Sequence, residues 1–239
     1  MAVGVDKVEA SFLRLLPNLS HNAQWRAVLP AFSKTWHTPQ PHRKLKNQPK
    51  RYTGTMHRPP LKHCRNCGTA VIYRLPDDGD TKERAVCTAC NTVHYDNPLN
   101  VVGTLPTWGP DGAQVLLCKR NIEPRWGKWT LPAGFMEMGE TIAEGAARET
   151  DEEAGALFEM GPLFSVMNVV RVGQVHFFYL ATLLSDQFNP GHETIEARLF
   201  RESEIPWDEI AFGTVRETLA LYFEDRRQGT MGFHTTDIT

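Results

Sequence analysis

The stretch "GFMEMGETIAEGAARETDEEAGA", Gly134–Ala156, decides how the chain is to be read. Its second half, "RETDEEAG", puts Glu149, Asp151, Glu152 and Glu153 within five positions, where like charges repel. Thr141 followed by Glu144 is a capping box that starts a helix. Gly155 is placed to end that helix in the left-handed conformation. The spacing therefore predicts a helix over 141–154. On it Glu149, Glu152 and Glu153 stand at i, i+3 and i+4, projecting from one face within about one turn. Asp151 points elsewhere.

Carboxylates crowded with little dielectric screening raise one another's pKa, and a divalent cation removes that penalty. Hard oxygen donors at this spacing suit Mg²⁺ or Mn²⁺, ions that also bind substrate phosphates. A bare acidic helix can equally be a solvated one, so the surroundings matter. Arg148 is beside the cluster and can hold a carboxylate through two parallel hydrogen bonds. Ala143, Ala147 and Ala154 give the opposite face small side chains for close packing on a sheet. The preceding "LPAGFMEMGE" brings glycines that allow a backbone carbonyl to approach a ligand.

Around this core the pattern is mixed. "LNVVGTLPTW" and "AQVLLCKR" read as strands flanking a turn at "GPDG". "WTLPAG" is a short strand and loop, and "LFSVMNVVRV" with "QVHFFYLATLL" forms a hairpin across Gly173. "EARLFRESEI" is one more strand, and "TVRETLALYFEDR" is an amphipathic helix with Val215, Leu219 and Tyr222 on its apolar face. The tail from 228 to 239 shows no periodicity. Upstream, Cys64, Cys67, Cys87 and Cys90 form two C-x2-C knuckles 19 residues apart, a strong signature of one structural Zn²⁺ held by four thiolates. Free thiols are the alternative. A closed four-thiolate site has no open position, so it staples a fold and does not catalyse. His63 and His94 flank the knuckles, and Cys118, in an apolar strand, is expected in the core.

Charge is unevenly spread over the 239 residues. Residues 1–55 hold nine basic and two acidic side chains, +7, which leaves −9 for the rest of a chain of net charge −2. These 55 residues, rich in Pro, Lys and Arg, are expected to be a disordered or non-native extension, with a transit segment as the alternative. No apolar run reaches the roughly 18 residues that span a bilayer. The expected organisation is a ribbon over 56–97, a main domain over 98–227 and the tail, in a cytoplasmic protein.

Gly134, five residues, Glu140, seven residues, then Arg148-Glu149-x-x-Glu152-Glu153-x-Gly155 resembles the Nudix box, G-x5-E-x7-R-E-U-x-E-E-x-G-U. Thr150 and Ala156 depart from it where the family prefers bulky aliphatics. A four-cysteine ribbon ahead of "YDNPLNVVGTL" and "WGKWTLPAGFMEMGET" is similar to a ribbon-bearing subgroup of FAD and ADP-ribose diphosphatases. The neighbouring NADH group carries S-Q-P-W-P-F-P-x-S after the box, which "GPLFSVMNVVRVGQVHFF" lacks.

The resemblance implies an α/β fold, an α/β/α sandwich with a mixed sheet preceded by a small zinc ribbon. It implies hydrolysis of a diphosphate linking a nucleoside to another moiety, with Mg²⁺ or Mn²⁺ held by Glu149, Glu152, Glu153 and the carbonyl of Gly134. Glu196 is the expected further acid, with Glu193 its competitor. Arg148 would orient a glutamate and Glu140 would fix the loop. Trp126, Trp129, Phe135, Phe164, Phe177 and Phe178 are candidates for a base-binding wall, though each also suits a core, and Arg125 and Lys119 could meet phosphate. The implied partner is a small dinucleotide; a homodimer is compatible, a membrane is not, and nucleic acid is disfavoured. NADH, a nucleotide-capped RNA or a catalytically silent ligand sensor are the alternatives.

Overall fold

The structure, a computed structural model, describes residues 59–238, so the expectations for residues 1–55 fall outside it. Three short antiparallel strands open it: β1 (Val71–Arg74), β2 (Arg84–Cys87) and β3 (Val93–His94). They form the ribbon, with the acidic "LPDDGD" segment turning between β1 and β2.

The main sheet has eight strands. Six run in the order β10 (Thr194–Arg201), β5 (Gln114–Arg120), β4 (Leu99–Trp108), β9 (Gln174–Leu183), β8 (Phe158–Val169) and β11 (His234–Ile238). The pairs β4–β9 and β8–β11 are parallel and the others antiparallel, so the sheet is mixed. β4 and β5 pair only at their ends, Thr107 with Val115 and Trp108 with Gln114, and then diverge. β6 (Trp129–Thr130) joins β5 and β7 (Ala133–Phe135) joins β4 in the space this leaves. A cleft opens where the two strands part.

Strand side chains alternate between faces, so one strand feeds two cores. Val115 and Leu117 face a core completed by Phe164, Phe178, Phe200, Leu219 and Phe223, under helix α2 (Gly213–Gln228). Leu116 and Cys118 face a smaller core with Ala154, Ala156 and Leu183, under helix α1 (Ile142–Ala154). The α/β/α sandwich and the buried Cys118 are as the sequence predicts, and so is the apolar face of Val215, Leu219 and Tyr222. Each fully buried Leu or Phe on α2 contributes about 1.5–3 kcal/mol.

The tail departs from expectation. Residues 234–238 form β11, pairing in parallel with Ser165–Val169 of β8. Its anchor is Asp225, 7% exposed on α2, which accepts hydrogen bonds from the Gly232 amide (2.7 Å) and from Nε2 of His234 (2.9 Å). A five-residue strand held by a distant carboxylate leaves no periodicity to read. Because hydrogen bonds to a charged group contribute about 1.5–3 kcal/mol, Asp225→Ala should lower stability by about 2–3 kcal/mol. Urea unfolding checks this; an unchanged midpoint would mean that β11 does not need the anchor.

Candidate active site

Helix α1 begins where the capping box places it. The Thr141 amide donates to Glu144 (2.7 Å) and the Glu144 amide to Thr141 Oγ1 (3.2 Å), and Gly155 caps the far end at φ 55°. The buried residues of α1 are Gly145, Ala146, Thr150, Glu153 and Ala154, with Ala143 and Ala147 only half-buried, so the packed face is shifted from the one expected and takes in one of the acids. Thr150 sits against β4, its hydroxyl 2.7 Å from Thr104 Oγ1 and 2.7 Å from the Ala146 carbonyl. The small polar residue at a position suited to a bulky aliphatic is thus matched by a threonine on the facing strand.

Arg148 organises the acids. Its Nε and Nη2 donate to the two oxygens of Glu140 at 3.0 and 2.9 Å, and Nη1 donates to Glu149 (2.8 Å) and Glu152 (3.0 Å). Nη2 also reaches the Phe135 carbonyl at 3.2 Å. Glu140 accepts the Glu137 amide as well, so it fixes the loop, as expected. The guanidinium beside it holds its carboxyl at about 2.

Glu149 lies flat against the preceding loop. Gly134 pairs with Val102, and a side-chain carbon there would collide with the Glu149 carboxylate. Burial raises the pKa of Glu149 even with Arg148 opposing it, and Glu152 and Glu193 push the same way. Glu153 is 6% exposed and accepts the Ala133 amide at 2.9 Å. Burial drives its pKa up to about 8, with Glu149 and Glu193 adding to the rise and the Ala133 amide and Arg120 offsetting part of it. Glu152 is more exposed, its side chain at 58%.

Three carboxylates, two of them desolvated, form a hard-oxygen set whose mutual repulsion a divalent cation would relieve, and Glu149 packs directly on Gly134. Arg148 draws Glu149 and Glu152 toward itself. The glutamate oxygens do not all lie within 4.8 Å of one another, as the thiols of the ribbon do. The donor chemistry and electrostatics fit the ion.

The cleft beside these acids has a volume of about 790 Å³. Glu149, Glu152, Glu153, Arg148 and Gly134 all line it, whereas Glu196 does not. Glu196 lies on β10 opposite Lys119, 3.8 Å from Arg198 Nε, on the strand face that also carries Phe200. The acid brought to the cleft is its competitor Glu193, from the loop before β10. That loop is fastened to the end of α1, the Asn189 amide donating to the Ala154 carbonyl (3.0 Å) and the Gly191 amide to that of Glu152 (3.1 Å). An irregularity in the ladder between Thr194 and Glu196 separates the two acids.

A second arginine in the cleft, in addition to Arg148, is Arg120, which the sequence reading passed over. It is 8% exposed, donates from Nε to the Pro124 carbonyl (3.0 Å) and lies 5.1 Å from the Phe212 ring. Lys119, one position away and so on the other face of β5, stacks on Trp129, and Arg125 is exposed away from the cleft lining. Only strand phase distinguishes Lys119 from Arg120. Of the aromatic candidates, Phe135 lines the cleft and Phe178 borders it from within the core, fully buried. Trp129 and Phe164 are core residues, Trp126 is exposed, and Phe177 lies outside the cleft lining.

In the ribbon the donor atoms of Cys64, Cys67, Cys87 and Cys90 all lie within 4.8 Å of one another, the one such set among the described residues. The Sγ separations of 3.7 Å (Cys64–Cys90), 3.4 Å (Cys67–Cys87) and 3.5 Å (Cys67–Cys90) approach the edge of about 3.8 Å for a tetrahedron with zinc–sulfur arms of about 2.3 Å. Buried His94 places Nε2 3.3 Å from Cys64 Sγ, where an N–H would support a thiolate, while His63 is exposed.

A mixed sheet between two helices, with an arginine-centred glutamate cluster behind a glycine loop and a four-thiol ribbon ahead of it, defines a class. The NUDIX domain description matches residues 98–220 and the Nudix N-terminal zinc-ribbon description residues 62–96. The chain belongs to the Nudix family. It is 48% identical to a NUDIX hydrolase from Nitrosomonas europaea of known crystal structure, with a TM-score of 0.70 over 74% of this chain and 99% of that one. It is 28% identical to the NAD-capped RNA hydrolase NudC of Photobacterium profundum, over 66% of this chain and 58% of that protein. To the ADP-ribose pyrophosphatase of Methanocaldococcus jannaschii it is 29% identical, over 39% of this chain and 57% of that protein. The chain thus spans less than two thirds of the length of these curated relatives.

Proposed function

We propose that the chain hydrolyses the diphosphate bond of a nucleoside diphosphate linked to another moiety, with FAD and ADP-ribose as the favoured substrates. The observation that carries this reading is the gathering of Glu149, Glu152 and Glu153 with Arg148 and Gly134 of β7 at the wall of a cleft of about 790 Å³, Glu149 and Glu152 accepting from Arg148 and Glu153 from the Ala133 amide. Glu149, Glu152, Glu153 and the Gly134 carbonyl would hold Mg²⁺ or Mn²⁺. When bound, the cation neutralises diphosphate charge and makes water a better nucleophile toward phosphorus.

The protein's own groups supply position and charge. Arg148 keeps Glu149 and Glu152 on the cleft side and ties both to the loop through Glu140. Arg120, facing the acids across the cleft, can donate from its terminal nitrogens to a phosphate oxygen. Glu193 is the further acid of this reading, placed where it can take a proton from the attacking water. Water adds to one phosphorus, the bridging P–O bond breaks, and two monophosphates leave: AMP with FMN from FAD, or AMP with ribose 5-phosphate from ADP-ribose. The relative named as an NAD-capped RNA hydrolase supports a second reading, an NAD-type dinucleotide, free or at an RNA end.

The test is product separation after incubation with FAD, ADP-ribose, NADH and NAD-capped RNA in Mg²⁺, with Glu152→Gln alongside. One substrate should be cut to two monophosphates, and the variant should lose at least about a hundredfold in rate. If all four survive incubation with folded, zinc-loaded protein, the hydrolase reading fails.

A further inference from the structure

The cleft holds a polar chain that takes no part in the chemistry above. Strand register sets it out: β7 places Phe135 beside Val101 of β4, and β4 places Val101 beside His176 of β9. These three form a row across the sheet at the cleft floor, and Gln174, two residues before His176, lies on the same face.

Thr214, on the first turn of α2, is 3% exposed and sets its Oγ1 3.1 Å from Nδ1 of His176. On the other side of the ring Nε2 lies 3.0 Å from Oε1 of Gln174. Oε1 of Gln174 can only accept, so the ring proton sits on Nε2 and donates to it, and the unprotonated Nδ1 accepts from the Thr214 hydroxyl. His176 is 9% exposed, and burial keeps the ring neutral by pulling its pKa to about 4. The polarity therefore runs one way, from threonine to histidine to glutamine. With its oxygen engaged, Gln174 presents only its NH₂ group outward, and that group has no partner among the described residues. Gln174 borders both this cleft and a second groove of about 1030 Å³ that runs toward the ribbon.

We infer that Gln174 is a specificity-determining residue whose amide NH₂, oriented by Thr214 and His176, donates to an acceptor atom on the heterocyclic base of the substrate. This rests on the diphosphatase reading and names the part of the substrate read at that site. The base lies over Phe135 and Val101, with a ring nitrogen or carbonyl oxygen toward Gln174. A site with donors only favours bases presenting acceptors at that edge and leaves a baseless sugar phosphate without a partner. His176 and Thr214 act through Gln174 and are positioning residues.

Calorimetric binding of AMP, FMN and ribose 5-phosphate to the zinc-loaded full chain tests this without relying on turnover. At least one of the base-bearing probes should bind about tenfold or more tighter than ribose 5-phosphate, a difference of about 1.4 kcal/mol. Gln174→Met keeps the length and removes both donors, so it should bring that ratio within about threefold while ribose 5-phosphate binding stays as in the parent. Nitrogen-15 NMR of the imidazole should show His176 as the Nε2–H tautomer, and Thr214→Val should release that preference and weaken base binding. An unchanged ratio in Gln174→Met, an equal loss for all three probes, no preference for either base in the parent, or an Nδ1–H tautomer would each overturn the inference. Failure of hydrolysis in the parent with the base preference intact would instead sink only the diphosphatase reading.

Discussion

Glu153→Gln should make the protein more stable in Mg²⁺-free buffer while abolishing its hydrolytic activity. The side chain is 6% exposed, and its pKa is raised to about 8, mainly by burial. A raised carboxyl binds a proton in the folded chain that the unfolded chain has already released. The associated stability is fully present below the ordinary pKa of about 4.5 and is lost as pH climbs through 8. Glutamine keeps an oxygen for the Ala133 amide and has no charge to bury. Its advantage should therefore open above pH 4.5, reach on the order of 3 kcal/mol at pH 7 and level off above 8.

Urea unfolding at pH 5, 7 and 8.5 reads this directly, in buffer without chelator so that zinc stays in place. Adding Mg²⁺ should stabilise the parent and close the gap, because a ligand that binds only the folded state adds to its stability. Parallel unfolding curves at all three pH values would show that Glu153 is not strained by its surroundings. The activity arm should show a loss of at least about a hundredfold.

The second large effect concerns the ribbon. Its buried residues are Cys64, Pro76, Ala85, Val86, Cys87 and His94, of which only Pro76, Ala85 and Val86 are apolar and not thiols. So small a core cannot offset the conformational entropy of ordering some thirty-five residues, which costs about 1–2 kcal/mol for each backbone. The metal must supply the difference, and structural zinc sites in small domains contribute about 10–16 kcal/mol at neutral pH. Elemental analysis should find one zinc per chain. Cys87→Ser, or removal of zinc by a strong chelator, should abolish hydrogen-exchange protection in β1 and β2 and leave β4, β5 and β9 protected. Protection in β2 that survives loss of the metal would mean the thiols pack as an ordinary core.

The elements written in local chemistry were legible in advance. The ends of α1 follow from Thr141, Glu144 and Gly155, whose side-chain and backbone demands are satisfied within a turn. The thiol quartet follows from two knuckles whose geometry is set by four residues each. What escaped the sequence depends on which strand lies opposite. Thr150 looks ill-suited until Thr104 is seen across from it. Glu196 was the expected further acid and Glu193 its competitor, yet it is Glu193 that lines the cleft, with a ladder irregularity between Thr194 and Glu196 separating the two. Lys119 and Arg120 differ only in which side of β5 they take, and that phase is set by Leu116 and Leu117 packing on opposite helices. β11 depends on a contact with Asp225, which sits on an earlier helix and marks nothing in the tail itself.

The loop that carries Glu193 closes hydrogen bonds from Asn189 and Gly191 onto the last carbonyls of α1, and a side-chain carbon at Gly155 would run into the Asn189 carbonyl. Mechanically this welds loop and helix together. Swinging the loop outward would strip the helix of its terminal partners and fray the turn that bears Glu152 and Glu153. The loop is thus a fixed jaw of the cleft and not a gate. Asn121 fastens the same loop to the end of β5, its backbone amide donating to the Glu193 carbonyl (2.8 Å) and its side-chain amide to that of His192 (2.9 Å), so changes of length between Ser185 and Glu193 would be felt at once by the carboxylates.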